Sequence, residues 1–163
     1  MPSKKTRNHH TEQCGANPDA FRCFNISSRS HYGLVFATEL ARRFGSDKPV
    51  SVHSIANDMG ISEKYLEELV GVLRRGRIVR GARGRSGGYV LTKSPAQVHA
   101  GAVVRLLDGP VLFARCQVAS SKKCCPANAR CGSKQLFTEL KKLIDQQLDS
   151  VTLADLVMGS ARI

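Results

Sequence analysis

The chain has 163 residues, 42% of them hydrophobic, and carries 25 Lys and Arg against 13 Asp and Glu, a net charge of +12. That length suits one ordinary domain with a real core, or a small domain with a dimerisation arm, and the charge calls for a polyanion such as nucleic acid. No run of about eighteen apolar residues exists, which excludes a membrane span, and no basic helix carries the aromatic anchors of a membrane-surface helix.

Residues 1–24 read as a flexible polar arm, with Pro2, Gly15, Pro18 and His9-His10 and no helical or strand period. Its start, MPSKKTRNHHTEQ, is basic but has no apolar stretch behind it, so it is not a secretory signal. A reducing cytoplasm is the expected compartment, and there cysteines more often bind metal or sense redox state than form structural disulfides. The arm holds Cys14 and Cys23.

A helix is expected to start near Ser28, with Tyr32, Val35, Phe36, Leu40, Ala41 and Phe44 as its apolar face and Gly45 as a left-handed stop. Asp47-Lys48-Pro49 connects it to a short helix capped by Ser51 and carrying Val52, Ile55, Ala56 and Met59. Gly60 turns the chain into another helix, with Ser62 as N-cap and Glu63 in the dipole-favoured first turn. Ile61 and Leu66 are spaced for a hydrophobic staple. Leu66, Leu69, Val70 and Leu73 follow at i, i+3, i+4 and i+7, and Gly76 can end the helix. Two helices joined by a tight turn, the second capped and amphipathic, form a helix-turn-helix pattern. Arg77–Arg80 and Gly88–Leu91 read as two short strands, with Gly81, Gly84 and Gly87 supplying positive φ between them. That hairpin makes the motif winged.

From Arg74 to Lys93 stand seven basic residues (Arg74, Arg75, Arg77, Arg80, Arg83, Arg85, Lys93) and no acidic one. A solvated face normally mixes signs, so this run beside an amphipathic helix fits double-stranded DNA better than a merely solubilising surface.

Beyond Ser94-Pro95 a helix over Ala100–Leu107 carries Val103, Leu106 and Leu107, and Asp108-Gly109-Pro110 breaks it. A long helix from Lys134 to Val151 presents Leu136, Phe137, Leu140, Leu143, Ile144, Leu148 and Val151 on one face. Thr152 and Asp155 are spaced as a capping box for a last turn, Leu153 to Met158. A small winged helix has little spare surface to cover such a face, so the long helix is read as a homodimer interface rather than as packing on its own subunit. The expected architecture is mainly α with a small β-hairpin wing. It divides into the arm (1–24), a winged helix-turn-helix domain (25–95), a linker helix with a cysteine-rich sensor loop (96–132), and a dimerisation helix with its C-terminal turn (133–163).

That loop, CQVASSKKCCPANARC, gathers Cys116, Cys124, Cys125 and Cys131. Clustered thiolates suit a soft metal or an iron–sulfur cluster, and Arg115, Lys122, Lys123 and Arg130 would lower thiol pKa values. No C-x₂-C pair occurs, so a standard zinc finger is not indicated. Zinc, a reversible disulfide and inert buried thiols are the other readings. Adjacent cysteines seldom serve one centre, so only one of Cys124 and Cys125 is expected to ligate.

Taken together, the chain from about Ile26 to Met158 resembles the Rrf-type family of winged-helix transcriptional regulators. The residues that carry the likeness are Ile26-Ser27-Ser28 with His31-Tyr32-Gly33-Leu34, the run Ile61 to Glu67, the wing Arg83 to Leu91, and Thr152-Leu153-Ala154-Asp155-Leu156. The resemblance implies a homodimeric DNA-binding regulator, usually a repressor acting at a palindromic operator. It puts the helix after Ser62 in the major groove, with Lys64, Tyr65 and Glu67 on its DNA side. Glu67 falls where a Glu can accept from cytosine N4, and Arg83 where a wing arginine enters the minor groove. Ser62, Lys64, Arg74, Arg75 and Arg85 are read as phosphate contacts.

In sensing members three cysteines hold an iron–sulfur cluster, and Cys116, Cys125 and Cys131 match best, with Cys124 the rival for the middle position. IscR-like members have a His three residues after the last cysteine, where this chain has Lys134. NsrR-like members take a fourth ligand from the partner's N-terminal region, for which Asp19, Cys14, Cys23 and His31 are the candidates. The resemblance thus implies sensing of iron–sulfur, redox or nitric oxide status. The alternative is a cluster-free member governed by a protein partner or by thiol oxidation. No phosphate-binding loop, carboxylate pair or Ser/His/Asp arrangement points to an enzyme.

Overall fold

The computed structural model describes residues 26–46, 49–82, 87–114, 117 and 130–160. In chain order these form α1 (Ser28–Arg42), α2 (Val52–Met59), α3 (Glu63–Arg75), β1 (Val79–Ala82), β2 (Gly88–Leu91), a 3-10 turn (Pro95–Gln97), α4 (Ala100–Asp108), α5 (Gly132–Ser150) and α6 (Leu153–Met158). The described part is mainly helical with one small hairpin. Among these residues no helix is long and apolar enough to cross a membrane.

Local chemistry sets most of the ends. Ser27 caps α1 through its side chain, which accepts from Arg29 N–H at 3.1 Å. Ser62 caps α3 by accepting from Tyr65 N–H at 3.4 Å. Gly60 turns left-handed at φ 63°, which lets α2 stop and α3 start almost at once. The capping box is complete: Thr152 Oγ1 accepts from Asp155 N–H at 3.2 Å, and Asp155 Oδ2 accepts from Thr152 N–H at 2.9 Å.

The described residues fall into two compact units, one within 26–111 and 144–160 and one within 112–143. In the first, α1 packs on α3, α4 and α6, and α3 also meets α2, α4 and β1. Its core joins Phe36 and Leu40 of α1, Ile55 of α2, Leu66, Leu69, Val70 and Leu73 of α3, Val79 and Leu91 of the hairpin, Val103 of α4 and Leu153 of α6. Phe44, expected on the apolar face of α1, lies beyond the helix end and is 50% exposed. In the second unit the Phe113 and Phe137 rings stack, 6.3 Å between centroids, and Gln117 Nε2 donates to the Phe137 carbonyl at 2.8 Å.

An acid joins the two ends of the α1–α4 pair. The Asp108 carboxylate accepts from Ser27 N–H at 2.9 Å, from the Ser27 hydroxyl at 2.5 Å and from the fully buried Ser30 hydroxyl at 2.6 Å. Burial works against its charge, but the Ser27 and Ser30 hydrogen bonds and the nearby Arg29 cation outweigh it, so its pKa lies below the usual carboxylate value. A second tie runs from α4 to the last turns of α5, where Arg105 pairs with Asp149 and, at 3.6 Å, with Asp145.

The first strand of the hairpin departs from its expected bounds. β1 begins at Val79 rather than Arg77, and pairs Val79 with Leu91, Arg80 with Val90, Gly81 with Tyr89 and Ala82 with Gly88. Gly81 is therefore a strand residue without the positive φ expected of it. Val50, to which sequence reading gave no role, forms a bridge on the other side of Tyr89, with paired hydrogen bonds of 3.0 and 2.9 Å. Gly88 makes that bridge possible. A Cβ on it would overlap the Val50 carbonyl oxygen and sit 2.7 Å from the carbonyl carbon, and backbone atoms cannot step aside as a side chain can. Gly88→Ala should therefore lower stability by about 1–3 kcal/mol, read as an earlier denaturant midpoint. An unchanged midpoint would mean that Val50 is not held against the hairpin.

Candidate nucleic-acid interface

The α3 helix has two faces with different work. Leu66, Leu69, Val70 and Leu73 are 0% exposed, which removes one whole side of the helix from solvent and fixes which residues the other side presents. Glu63, Lys64, Glu67 and Glu68 are exposed, as are the Ser62 cap and Arg74 and Arg75 in the last turn. The two arginines sit at the negative end of the helix dipole, and Glu63 at the positive end.

Tyr65 differs from its neighbours. It is half-buried, and its ring meets Tyr32 of α1 edge-on, with centroids 6.0 Å apart and planes at 90°. Tyr32 in turn lies 5.2 Å from the His31 ring. Tyr65 thus braces α3 against α1, and only part of it faces outward.

A contact that sequence reasoning missed holds the start of α3. His53 of α2 lies 2.9 Å through Nδ1 from Glu63 Oε2, and Asn57 Nδ2 lies 3.0 Å from His53 Nε2. With Asn57 donating to Nε2, the Nδ1–H donates to the Glu63 carboxylate. These three exposed side chains lock the two helices of the helix-turn-helix at their outer edge. Nothing in the linear pattern joins them, because His53 and Glu63 come from different helices.

Beyond α3 the charge is wholly positive. Arg77, Arg80 and Lys93 are exposed on or beside the hairpin, and no acidic residue occurs from Arg74 to Lys93. Arg83 and Arg85, expected at the wing tip, lie outside the described residues, as do Cys116, Cys124 and Cys125. A shallow cavity of about 270 Å³ lies beside the hairpin, lined by Phe44, Val50, Arg80 and Tyr89 among others.

Cys131 is the one expected thiol ligand that is described. It stands just before the first turn of α5, with Sγ 3.1 Å from the Ser133 hydroxyl. That hydroxyl, then the Lys134 N–H, stabilise the thiolate, and the thiol pKa is lowered from its usual value. Among the described residues no group of three or more His, Cys, Asp or Glu is gathered as a metal would need.

Comparison with known proteins agrees with this architecture. The Rrf2 family model, described as "Iron-dependent Transcriptional regulator", matches residues 26–159. The HTH-type transcriptional regulator CymR of Bacillus subtilis is 37% identical over 131 residues, 80% of this chain and 88% of that protein. The solved structure of CymR, the global cysteine regulator of B. subtilis, superposes with a TM-score of 0.71 at 34% identity, covering 82% of this chain and 96% of that one. The structure of T. potens IscR follows with a TM-score of 0.66 at 33% identity, covering 88% and 91%. The fold is that of these winged-helix regulators, and the relatives are regulators rather than enzymes. The chain belongs to the Rrf2 family of transcriptional regulators.

Proposed function

We propose that this protein is a homodimeric, sequence-specific DNA-binding repressor whose affinity is set by an iron–sulfur cluster on its cysteine-rich segment. The observation that carries the DNA-binding half is the division of α3: four fully buried apolar side chains on one face, and exposed polar and charged ones on the other, next to a wholly basic hairpin. Family membership supports the same reading. In it, Glu67 reads cytosine N4 and Arg83 enters the minor groove. Ser62, Lys64, Arg74, Arg75 and Arg85 hold phosphate and set the register of the helix in the major groove. Tyr65 contributes mainly by bracing α3.

Dimerisation is supported by α5. None of its residues is buried, and Leu136 and Leu143 are 57% and 60% exposed. A second copy is the natural cover for such a face, and a dimer would present two helices to half-sites about one DNA turn apart.

The thiol chemistry fits a cluster at the one position that is described. Cys131 is accessible, its thiolate is favoured, and it stands at the positive end of a long helix. Cys116 and Cys125, with Cys124 as the rival to Cys125, would complete the thiolate set. A bound cluster supplies iron that responds to oxidants and nitric oxide. The chain's own part is mechanical: the segment leaves α4 at Asp108, which is tied to α1, and returns through α5, whose last turns are tied to Arg105. The kinship with a global cysteine regulator favours a second reading, in which the thiols or a partner protein act without a cluster.

The wing gives the sharpest test of DNA binding. Arg83→Ala should relax sequence preference, whereas Arg85→Ala should weaken all duplexes alike and reduce the slope of log K against log salt by about one per subunit. Equal effects in both would mean that the wing only grips phosphate. The Cys131 environment is tested by alkylation rate against pH. The midpoint should lie below that of an ordinary thiol and rise in Ser133→Ala; an unmoved midpoint would remove the hydroxyl from the explanation.

A further inference from the structure

Arg77 is the only non-glycine residue with positive φ among the described residues, at 57°. An L-side chain is strained there and glycine is not. The position is nevertheless firmly held. Arg77 N–H donates to the Arg74 carbonyl at 3.0 Å, and the Thr92 hydroxyl donates to the Arg77 carbonyl at 2.5 Å. Ile78 N–H closes onto Leu73 O at 3.0 Å.

The glycine next to it does not relieve this strain. Gly76 has φ −75°, an ordinary value. What Gly76 supplies is space, because a Cβ there would run into the Leu106 side chain, 3.1 Å from its Cγ and closer still to both methyls. The steric demand falls on 76 and the conformational demand on 77, where an arginine stands. For folding alone, glycine would serve better at 77. A strained residue that the surroundings hold in place points to a use for its side chain.

That side chain is exposed and makes no hydrogen bond or ion pair with any described residue. It stands between Arg74 and Arg75, at the end of α3, and Arg80 on β1, with no carboxylate in the run. A guanidinium on a fixed backbone, with no acid to compete, matches a phosphate oxygen pair.

We propose that Arg77 is a DNA-backbone contact. Its guanidinium binds a phosphate where the chain passes from α3 to the hairpin, and the left-handed backbone fixes where the side chain leaves the fold. It positions α3 without selecting sequence. This assignment rests on the DNA-binding reading above.

The test compares full-length wild type, Arg77→Gly and Arg77→Lys on two fluorescent duplexes, one selected from a random pool and one unrelated, across a KCl series. Arg77→Gly should melt no lower than wild type, with a rise of about 2–4 °C if the full strain is released. Its Kd should increase about threefold to tenfold on both duplexes, and the salt slope should lose about one unit per subunit. Arg77→Lys should keep the slope. A wild-type Kd and slope in Arg77→Gly overturns the assignment. So does a lower melting temperature, which would make Arg77 a folding residue, or a loss confined to the selected duplex, which would make it a base reader. If wild type itself shows no salt-dependent binding, the DNA-binding reading fails first and takes this assignment with it.

Discussion

Four side chains on α3, Leu66, Leu69, Val70 and Leu73, are wholly removed from water, and the elements of the first unit are arranged around them. Burying each contributes roughly 1.5–3 kcal/mol, so the stripe together is comparable to the net stability of a whole domain, about 5–15 kcal/mol. α1, α2, α4 and β1 all meet this helix. The consequence for function is geometric. A helix committed on one side cannot roll, so Lys64 and Glu67 keep a fixed orientation relative to the hairpin arginines. The edge contact of Tyr65 with Tyr32 and the His53–Glu63 hydrogen bond fix the remaining freedom at its start.

Two polar ties hold α4 within the first unit. Asp108 ties the end of α4 to Ser27 and Ser30 at the start of α1, and Arg105 ties the middle of α4 to the last turns of α5. Partly buried hydrogen bonds to a carboxylate depend on geometry far more steeply than apolar contact does. They are well suited to pass on, or to resist, a change in the chain on either side. Both α1 and α4 pack directly on α3.

Much of this was legible in the sequence, for physical reasons that can be named. The caps at Ser62 and Thr152, the turn at Gly60 and the α3 stripe are local, set by residues within a turn of one another, and each stands as expected. What could not be read depends on residues far apart along the chain. Val50 joins Tyr89 because the Gly88 backbone comes close, a steric fact with no sequence period. The Asp108 tie was hidden inside what read as a simple helix break. At the end of α3, Gly76 was expected to end the helix, and the positive φ falls instead on the next residue, Arg77. The candidate site divides the same way: the charged face of α3 followed from the helix pattern, whereas the half-burial of Tyr65 required knowing where α1 lies.

Protein purified without oxygen, with its iron and acid-labile sulfide counted, offers the most direct measurement. Its affinity for a selected duplex should be compared before and after the iron is removed by chelation, with Cys131→Ala alongside. Cluster control expects iron and sulfide in the wild type, a change in affinity of about tenfold on their removal, and neither in the variant. Wild-type protein that contains no iron, and binds the duplex as Cys131→Ala does, would leave a DNA-binding regulator with some other input.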